Sequence, residues 1–161
     1  FFHGAYGPQI IDQLHFVAET LNNDPDSRQA VLTIWRPNPR PSKDIPCTVS
    51  IQFLIRGNRL HVVDTMRSSD LWLGWPYDVF NFSMLARFVV TLLKNKPELG
   101  TLVLQAGSMH LYESNWIAAE LIADGEFDEL PAPTIPWFEQ GQDLIDWLWE
   151  KANGSGMLET K

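Results

Sequence analysis

Cys47 is the one thiol in a chain of 161 residues, and it follows Pro46 at the mouth of a segment that alternates like a strand. Two readings stand for it. A lone cysteine is ordinarily a small buried hydrophobe; as a nucleophile it needs a thiolate, and a thiolate needs positive charge beside it. Arg67 could supply that charge if a hairpin carries the chain out from Cys47 and back. Arg67-Ser68-Ser69-Asp70 sets a guanidinium, two hydroxyls and a carboxylate side by side, donors that suit a phosphate monoester. An arginine paired structurally with Asp70 accounts for the same residues. Arg28, next to the turn at 24–27, reads by default as a surface arginine. His110 and Tyr112 are two residues apart, share one side of a strand, and could both hydrogen-bond a sugar hydroxyl; the competing account is a histidine satisfied within the core.

Other chemistries find little support. The four histidines are scattered, with no HxH or HxxxH pattern to hold a metal, and neither a phosphate-cradling glycine loop nor a dinucleotide fingerprint is present. One cysteine excludes an intrachain disulfide framework. With 20 acidic and 12 basic residues the formal charge is -8, opposite to what a non-specific nucleic-acid binder requires. Seven tryptophans could line a stacking pocket, but core and interface positions account for most tryptophans. Neither an apolar stretch of about 18 residues nor an export signal is visible, so a cytoplasmic protein outside the membrane is expected.

The elements that must position these side chains follow from periodicity. Residues 8–23 begin with Pro8 and carry Ile10, Ile11, Leu14, Val17, Ala18 and Leu21 at helical spacing. A short branched run follows at 30–35, then a proline-rich loop at 36–46. Residues 47–55 read as a strand with Val49, Ile51, Phe53 and Ile55 on one side and Thr48, Ser50 and Gln52 on the other. The turn at 56–59 returns the chain as a second strand at 60–66, a β-hairpin. Residues 67–76 mix polar groups with Trp72, Leu73 and Trp75, which places them in or over a cleft. A buried central helix is predicted over 78–94, with Asp78 near its start complementing the helix dipole. A strand is predicted at 101–105, continuing through 109–112 after a bend, then a helix at 115–122, irregular chain at 123–137, a helix at 143–151 and a flexible tail at 152–161. With 45% hydrophobic residues the length suits one domain with its own core, an α+β layer fold of largely non-alternating topology.

Taken in order, several segments resemble the thymidylate synthase family, which includes the pyrimidine-nucleotide hydroxymethylases. They are Gly4-Ala5-Tyr6-Gly7-Pro8-Gln9 with Asp12-Gln13, Asn23-Asp24-Pro25-Asp26-Ser27-Arg28, Pro46-Cys47 with Gln52-Phe53, Arg67-Ser68-Ser69-Asp70, Leu73-Gly74-Trp75-Pro76-Tyr77-Asp78, and His110-Leu111-Tyr112. Together they cover roughly two thirds of the chain. The resemblance implies a mixed sheet packed on helices, with the sheet also forming a homodimer interface. It makes Cys47 the nucleophile that adds to C6 of a pyrimidine, so that C5 attacks the one-carbon unit of 5,10-methylenetetrahydrofolate, a co-substrate; no metal is involved. Arg67 and Ser68 match phosphate-binding positions, Arg67 also assisting the cysteine, and Arg28 matches an arginine given to the partner's phosphate. His110 and Tyr112 match the pair that binds the sugar 3′-hydroxyl. Asp70 and Gly74 match residues on the base and folate side of the cleft. Gln52 matches beside the nucleophile.

Departures from the family's pattern bear on the substrate. Asp78 stands where the enzymes methylating dUMP have asparagine, as it does in the deoxycytidylate and cytidylate hydroxymethylases. A carboxylate accepts from the 4-amino group of cytosine and repels O4 of uracil. Met66 replaces a glutamine, Gln29 an arginine and Ser108 an aspartate. The family's N-terminal portion, with its glutamate, and its C-terminal closing tail find no match, so an N-terminal portion is expected to be missing from the 161 residues. Hydroxymethylation of dCMP or CMP is the leading expectation; methylation of dUMP and a non-catalytic nucleotide-binding homologue are the alternatives.

Overall fold

The computed structural model describes residues 4–39, 41–125 and 135–153, with backbone alone for 152 and 153. Helix α1 (Gly7–Asn23) starts on Pro8, whose missing N–H costs nothing in a first turn. Leu14, Val17, Ala18 and Leu21 form its buried stripe, while Ile11 is exposed: adjacent helical residues lie about 100° apart, so Ile10 and Ile11 cannot both face the core. The short strand β1 (Val31–Thr33) is held at the edge by Gln13, whose amide donates to the Thr33 carbonyl and accepts from the Thr33 N–H.

Strands β2 (Thr48–Arg56) and β3 (Arg59–Met66) form the expected antiparallel hairpin. Gly57 and Asn58 turn it with φ of 57° and 59°, the left-handed pair that matches strand twist. After the two-residue strand β4 (Ser69–Asp70), helix α2 (Gly74–Leu92) crosses over to β5 (Glu98–Ala106), which lies parallel to β3. The main sheet therefore has the order β1-β2-β3-β5 and is mixed. The β3–α2–β5 crossover is one parallel, alternating unit in a topology that is otherwise non-alternating, following the expected order of strand, helix and strand. The core lies between the sheet and helices α1 and α2, around Val17, Leu21, Ile51, Phe53, Val62, Val89 and Val90. The opposite row of side chains includes Gln52, Leu54 and Val63, which are only partly covered.

Two irregularities matter more than the regular elements. A bulge interrupts β2 between Thr48 and Ser50, so that Thr48 pairs with Met66 and Ser50 with Thr65. Simple alternation placed Val49 with the core and Thr48 opposite; the extra residue reverses this, and Thr48 is fully buried. The strand after β5 also differs from expectation. The Gly107 N–H turns back to the Met66 carbonyl at 3.0 Å, and β6 (Met109–His110) leaves the main sheet to pair in parallel with β4.

The 115–122 helix is α3 (Trp116–Ala123), entered through a 3-10 turn at Glu113–Asn115. Helix α4 (Gly141–Asn153) packs on α2 through Leu144 and extends past the expected tail boundary at 152. The remainder of that tail, 154–161, and most of the irregular 123–137 segment, 126–134, lie outside the described residues.

Candidate active site

The hairpin brings Arg67 to Cys47. Each residue borders a hairpin strand, and the Arg67 N–H donates to the Cys47 carbonyl at 2.8 Å. The guanidinium is then fixed by the loop before β2: Nε donates to the Pro46 carbonyl at 3.0 Å and Nη2 to that of Ile45 at 3.1 Å. Nη2 lies 3.8 Å from Cys47 Sγ, and the guanidinium stands over the Trp35 ring. A fixed guanidinium at this distance is the kind of neighbour that a nucleophilic cysteine requires. Among the described residues Nη1 has no protein partner, which leaves a donor for an anion.

The β4–β6 pair brings the next residues together. Ser69 lies opposite Met109 and Asp70 opposite His110, and the Ser69 and Leu71 N–H groups donate to the Ser108 and His110 carbonyls. Ser68 Oγ is consequently 3.4 Å from His110 Nδ1. The His110 and Tyr112 rings meet edge to face at 5.1 Å, so they share a side although strand geometry ends at His110. Tyr112 is exposed and available to a ligand.

Asp70 is committed to the backbone. Its carboxylate accepts from the N–H groups of Trp72, Leu73 and Gly74 at 3.1, 3.0 and 3.4 Å, closing the start of α2. Desolvation opposes its charge, but bonds from Leu73, Trp72 and Gly74, and then the field of His110, hold its pKa below the usual carboxylate value. It forms no ion pair with Arg67 within the described residues, so the structural alternative for that arginine fails. Gly74 lies against Asp70: a Cβ there would meet the Asp70 Cβ at 3.4 Å.

Asp78 does not sit in the first turn of its helix, because α2 begins at Gly74, and it has no role as a dipole partner there. It lies one turn before Phe82 on the buried side, and burial pushes its pKa up to about 6. Two neighbours were not singled out by side-chain chemistry. Tyr6 stacks on Phe82, its hydroxyl accepts from the Thr48 N–H at 3.1 Å, and burial raises its pKa, with further contributions from Asp78 and Cys47. Asp64 is fully buried on β3, with the Thr48 hydroxyl 3.5 Å from its Oδ2. The alternation Leu60, Val62, Asp64, Met66 already marked a carboxyl group in a core row.

Arg28 is the site residue that the fold does not bring to this group. It is exposed, and its carbonyl accepts from Gln52 Nε2 at 2.9 Å, on the sheet face away from α1 and α2. Gln52 is thereby assigned to holding the edge of the sheet. No three or more His, Cys, Asp or Glu side chains among the described residues come together in a way that could hold a metal ion, and no described helix is long and apolar enough to cross a membrane.

The thymidylate synthase family model matches residues 3–152. This chain belongs to the thymidylate synthase family. A relative from Methanosarcina barkeri is 30% identical over 77% of this chain and 59% of its own length. "Thymidylate synthase 1" of Bacillus spizizenii is 30% identical over 85% of this chain and 48% of its own length. Among solved structures, thermostable thymidylate synthase A from Bacillus subtilis superposes with a TM-score of 0.68 at 26% identity, covering 83% of this chain and 49% of that one. The chain thus spans about half the length of the relatives it matches.

Proposed function

We propose that the protein transfers a one-carbon unit to C5 of a cytosine nucleotide, dCMP or CMP, and that water completes the reaction as a hydroxymethylation. The observation that carries this is the Arg67 guanidinium 3.8 Å from Cys47 Sγ, held there by two backbone carbonyls. Cys47 adds through sulfur to C6 of the pyrimidine, which turns C5 into a carbon nucleophile. Methylenetetrahydrofolate would supply the carbon that C5 attacks. Loss of the C5 proton, with tetrahydrofolate leaving on the C–N bonding pair, would give an exocyclic methylene at C5. Water would add to that methylene through oxygen, and expulsion of the Cys47 sulfur from C6 would restore the ring. Exposed Leu71, Leu73 and Tyr77, beside Asp70 and Gly74, offer an apolar rim suited to a flat pterin.

Arg67 and Ser68 bind the phosphate, and His110 with Tyr112 the 3′-hydroxyl of the sugar. Asp78 selects the base. A carboxyl group pushed up to about 6 by burial accepts from the 4-amino group and shares a proton with N3. The protein acts as a homodimer through the sheet face bearing Gln52 and Leu54, where Arg28 reaches the partner's phosphate site. Its exposure supports that arrangement.

Incubating the full-length protein with methylenetetrahydrofolate and dCMP, CMP or dUMP in turn, and weighing the products, tests the assignment. A hydroxymethylated cytosine nucleotide is expected. Conversion of dUMP to dTMP with release of dihydrofolate would replace it with thymidylate synthesis, the activity named in several relatives. Nucleotide binding without turnover would leave a binding protein. In the same assay Cys47→Ala loses turnover and still binds nucleotide; full activity in that variant removes the covalent mechanism.

A further inference from the structure

Asp64 is a carboxylic acid in a row of hydrocarbons. It alternates along β3 with Leu60, Val62 and Met66, so its side chain enters the layer between sheet and helices, where it is fully buried. Its strand partners are Ile51 on β2 and Leu104 on β5, neither of which can neutralise a charge. The Thr48 hydroxyl reaches Oδ2 at 3.5 Å, and Oδ1 has no hydrogen-bond partner among the described residues. An ionised carboxylate here lacks the cation or the set of donors that buried charge requires.

The titratable group whose field reaches it, Asp78 of α2, carries the wrong sign to help. Tyr6, from the segment before α1, binds the Thr48 N–H, and Cys47 precedes Thr48 in the chain. On β5 the only charged residue is Glu98 at the far end, near Arg59. Arg67, just past β3, directs its guanidinium to Ile45, Pro46 and Cys47, while Arg87 on α2 bonds the Pro136 carbonyl. Asp12, His15 and Glu19 of α1 are exposed, the last two paired with each other.

We propose that Asp64 is a positioning residue of the site: a carboxyl group that keeps its proton, and so holds Thr48 and the head of β2 next to Cys47 without adding a second negative charge to the layer that Asp78 already occupies. Thr48 is the link, because its hydroxyl meets Asp64, its N–H is bound by Tyr6, and it directly follows Cys47. Burial, and then the field of Asp78, push the Asp64 pKa up to about 7, in agreement with that geometry. When Asp64 does ionise, it adds negative charge to a poorly solvated layer that already holds Asp78, and thiolate formation at Cys47 is opposed.

The proposal rests on Cys47 being the nucleophile, but it can be tested without a nucleotide. Cys47 is the sole thiol, so its alkylation by iodoacetamide in the full chain reports the thiolate directly. Asp64→Asn keeps a polar partner for Thr48 and cannot ionise. Its alkylation rate relative to the native protein should be near one at about pH 5.5 and about tenfold at about pH 8.5, since one pKa unit is a factor of ten in thiolate fraction. Asp64→Leu, also neutral but without the Thr48 contact, should show the same pH trend displaced by a constant factor. A ratio for Asp64→Asn that stays constant over this range overturns the proposal. Should that variant not fold, carboxyl 13C NMR of the native chain decides: an Asp64 midpoint near neutrality supports the role, and one below about pH 5 overturns it. A pH-dependent ratio in a protein that converts no pyrimidine nucleotide would remove the proposed function and leave the Asp64–Cys47 coupling intact.

Discussion

At the scale of single residues, the proposed role of Asp78 in choosing the base rests on opposite hydrogen-bond patterns at the pyrimidine 4-position. Cytosine donates there and uracil accepts, and a mispaired buried group costs far more than a lost surface contact. Asp78→Asn should therefore shift the ratio of kcat/KM toward uracil over cytosine nucleotides by on the order of one hundredfold. Unchanged relative rates would remove Asp78 from base selection. Arg67→Ala takes away both the charge 3.8 Å from Cys47 and the proposed phosphate donor. Slower alkylation of Cys47, together with a higher KM for nucleotide, is the expected pair of effects; Arg67→Lys should recover part of the first and less of the second, because the fork that bonds Ile45 and Pro46 is lost.

The site is built at the scale of elements by two irregular pairings. The β2 bulge turns Thr48 inward to Asp64, and the β4–β6 pair sets Ser68 against His110. Asp70 connects the second pairing to α2 by taking three N–H groups at the helix start. Asp70→Ala should cost about 1–2 kcal/mol in urea unfolding, the order expected when backbone N–H groups lose a charged acceptor. Its ionisation works in the opposite direction to that of Asp64. A carboxyl group with a lowered pKa stabilises the fold above the ordinary carboxylate pKa, and that contribution is lost on acidification. Asp64, raised to about 7, favours the fold while protonated; stability falls as pH rises between about 4 and 7 and is level beyond. Relative to the native protein, Asp64→Asn should gain stability across that interval by at most about 4 kcal/mol, measured by urea unfolding at successive pH values. A constant difference would show that Asp64 is ionised throughout.

For the whole molecule the question is whether one chain holds a complete site. Arg28 is exposed and its carbonyl is bound by Gln52, whereas Cys47, Arg67, Ser68 and His110 gather at the strand ends. If Arg28 serves a partner, Arg28→Ala and Cys47→Ala proteins, each deficient alone, should regain turnover when mixed and allowed to exchange subunits. At most about one quarter of native activity is expected, since a random heterodimer carries one intact site. No recovery, despite exchange shown by sedimentation, would assign Arg28 to its own chain or to the surface.

Much of this was legible in the amino-acid order. Helical spacing from Leu14 to Leu21, the Gly57-Asn58 turn and the alternation of β3 are local signals, and local signals survive without knowledge of the fold. The candidate nucleophile, the arginine-serine pair and the His110–Tyr112 pair were equally visible, because their side chains carry the chemistry. Other features depended on distant partners. Only tertiary structure decided that a bulge reverses Thr48 and Val49, since the register is fixed by Met66 and Thr65 across the hairpin. It also decided that His110 leaves the main sheet for β4, and that Asp70 spends its oxygens on backbone donors. The sequence by itself determined which reactive groups and periodic faces exist. How they meet, and therefore which carboxyl group lies buried against Thr48, was decided by pairings between residues far apart in the chain.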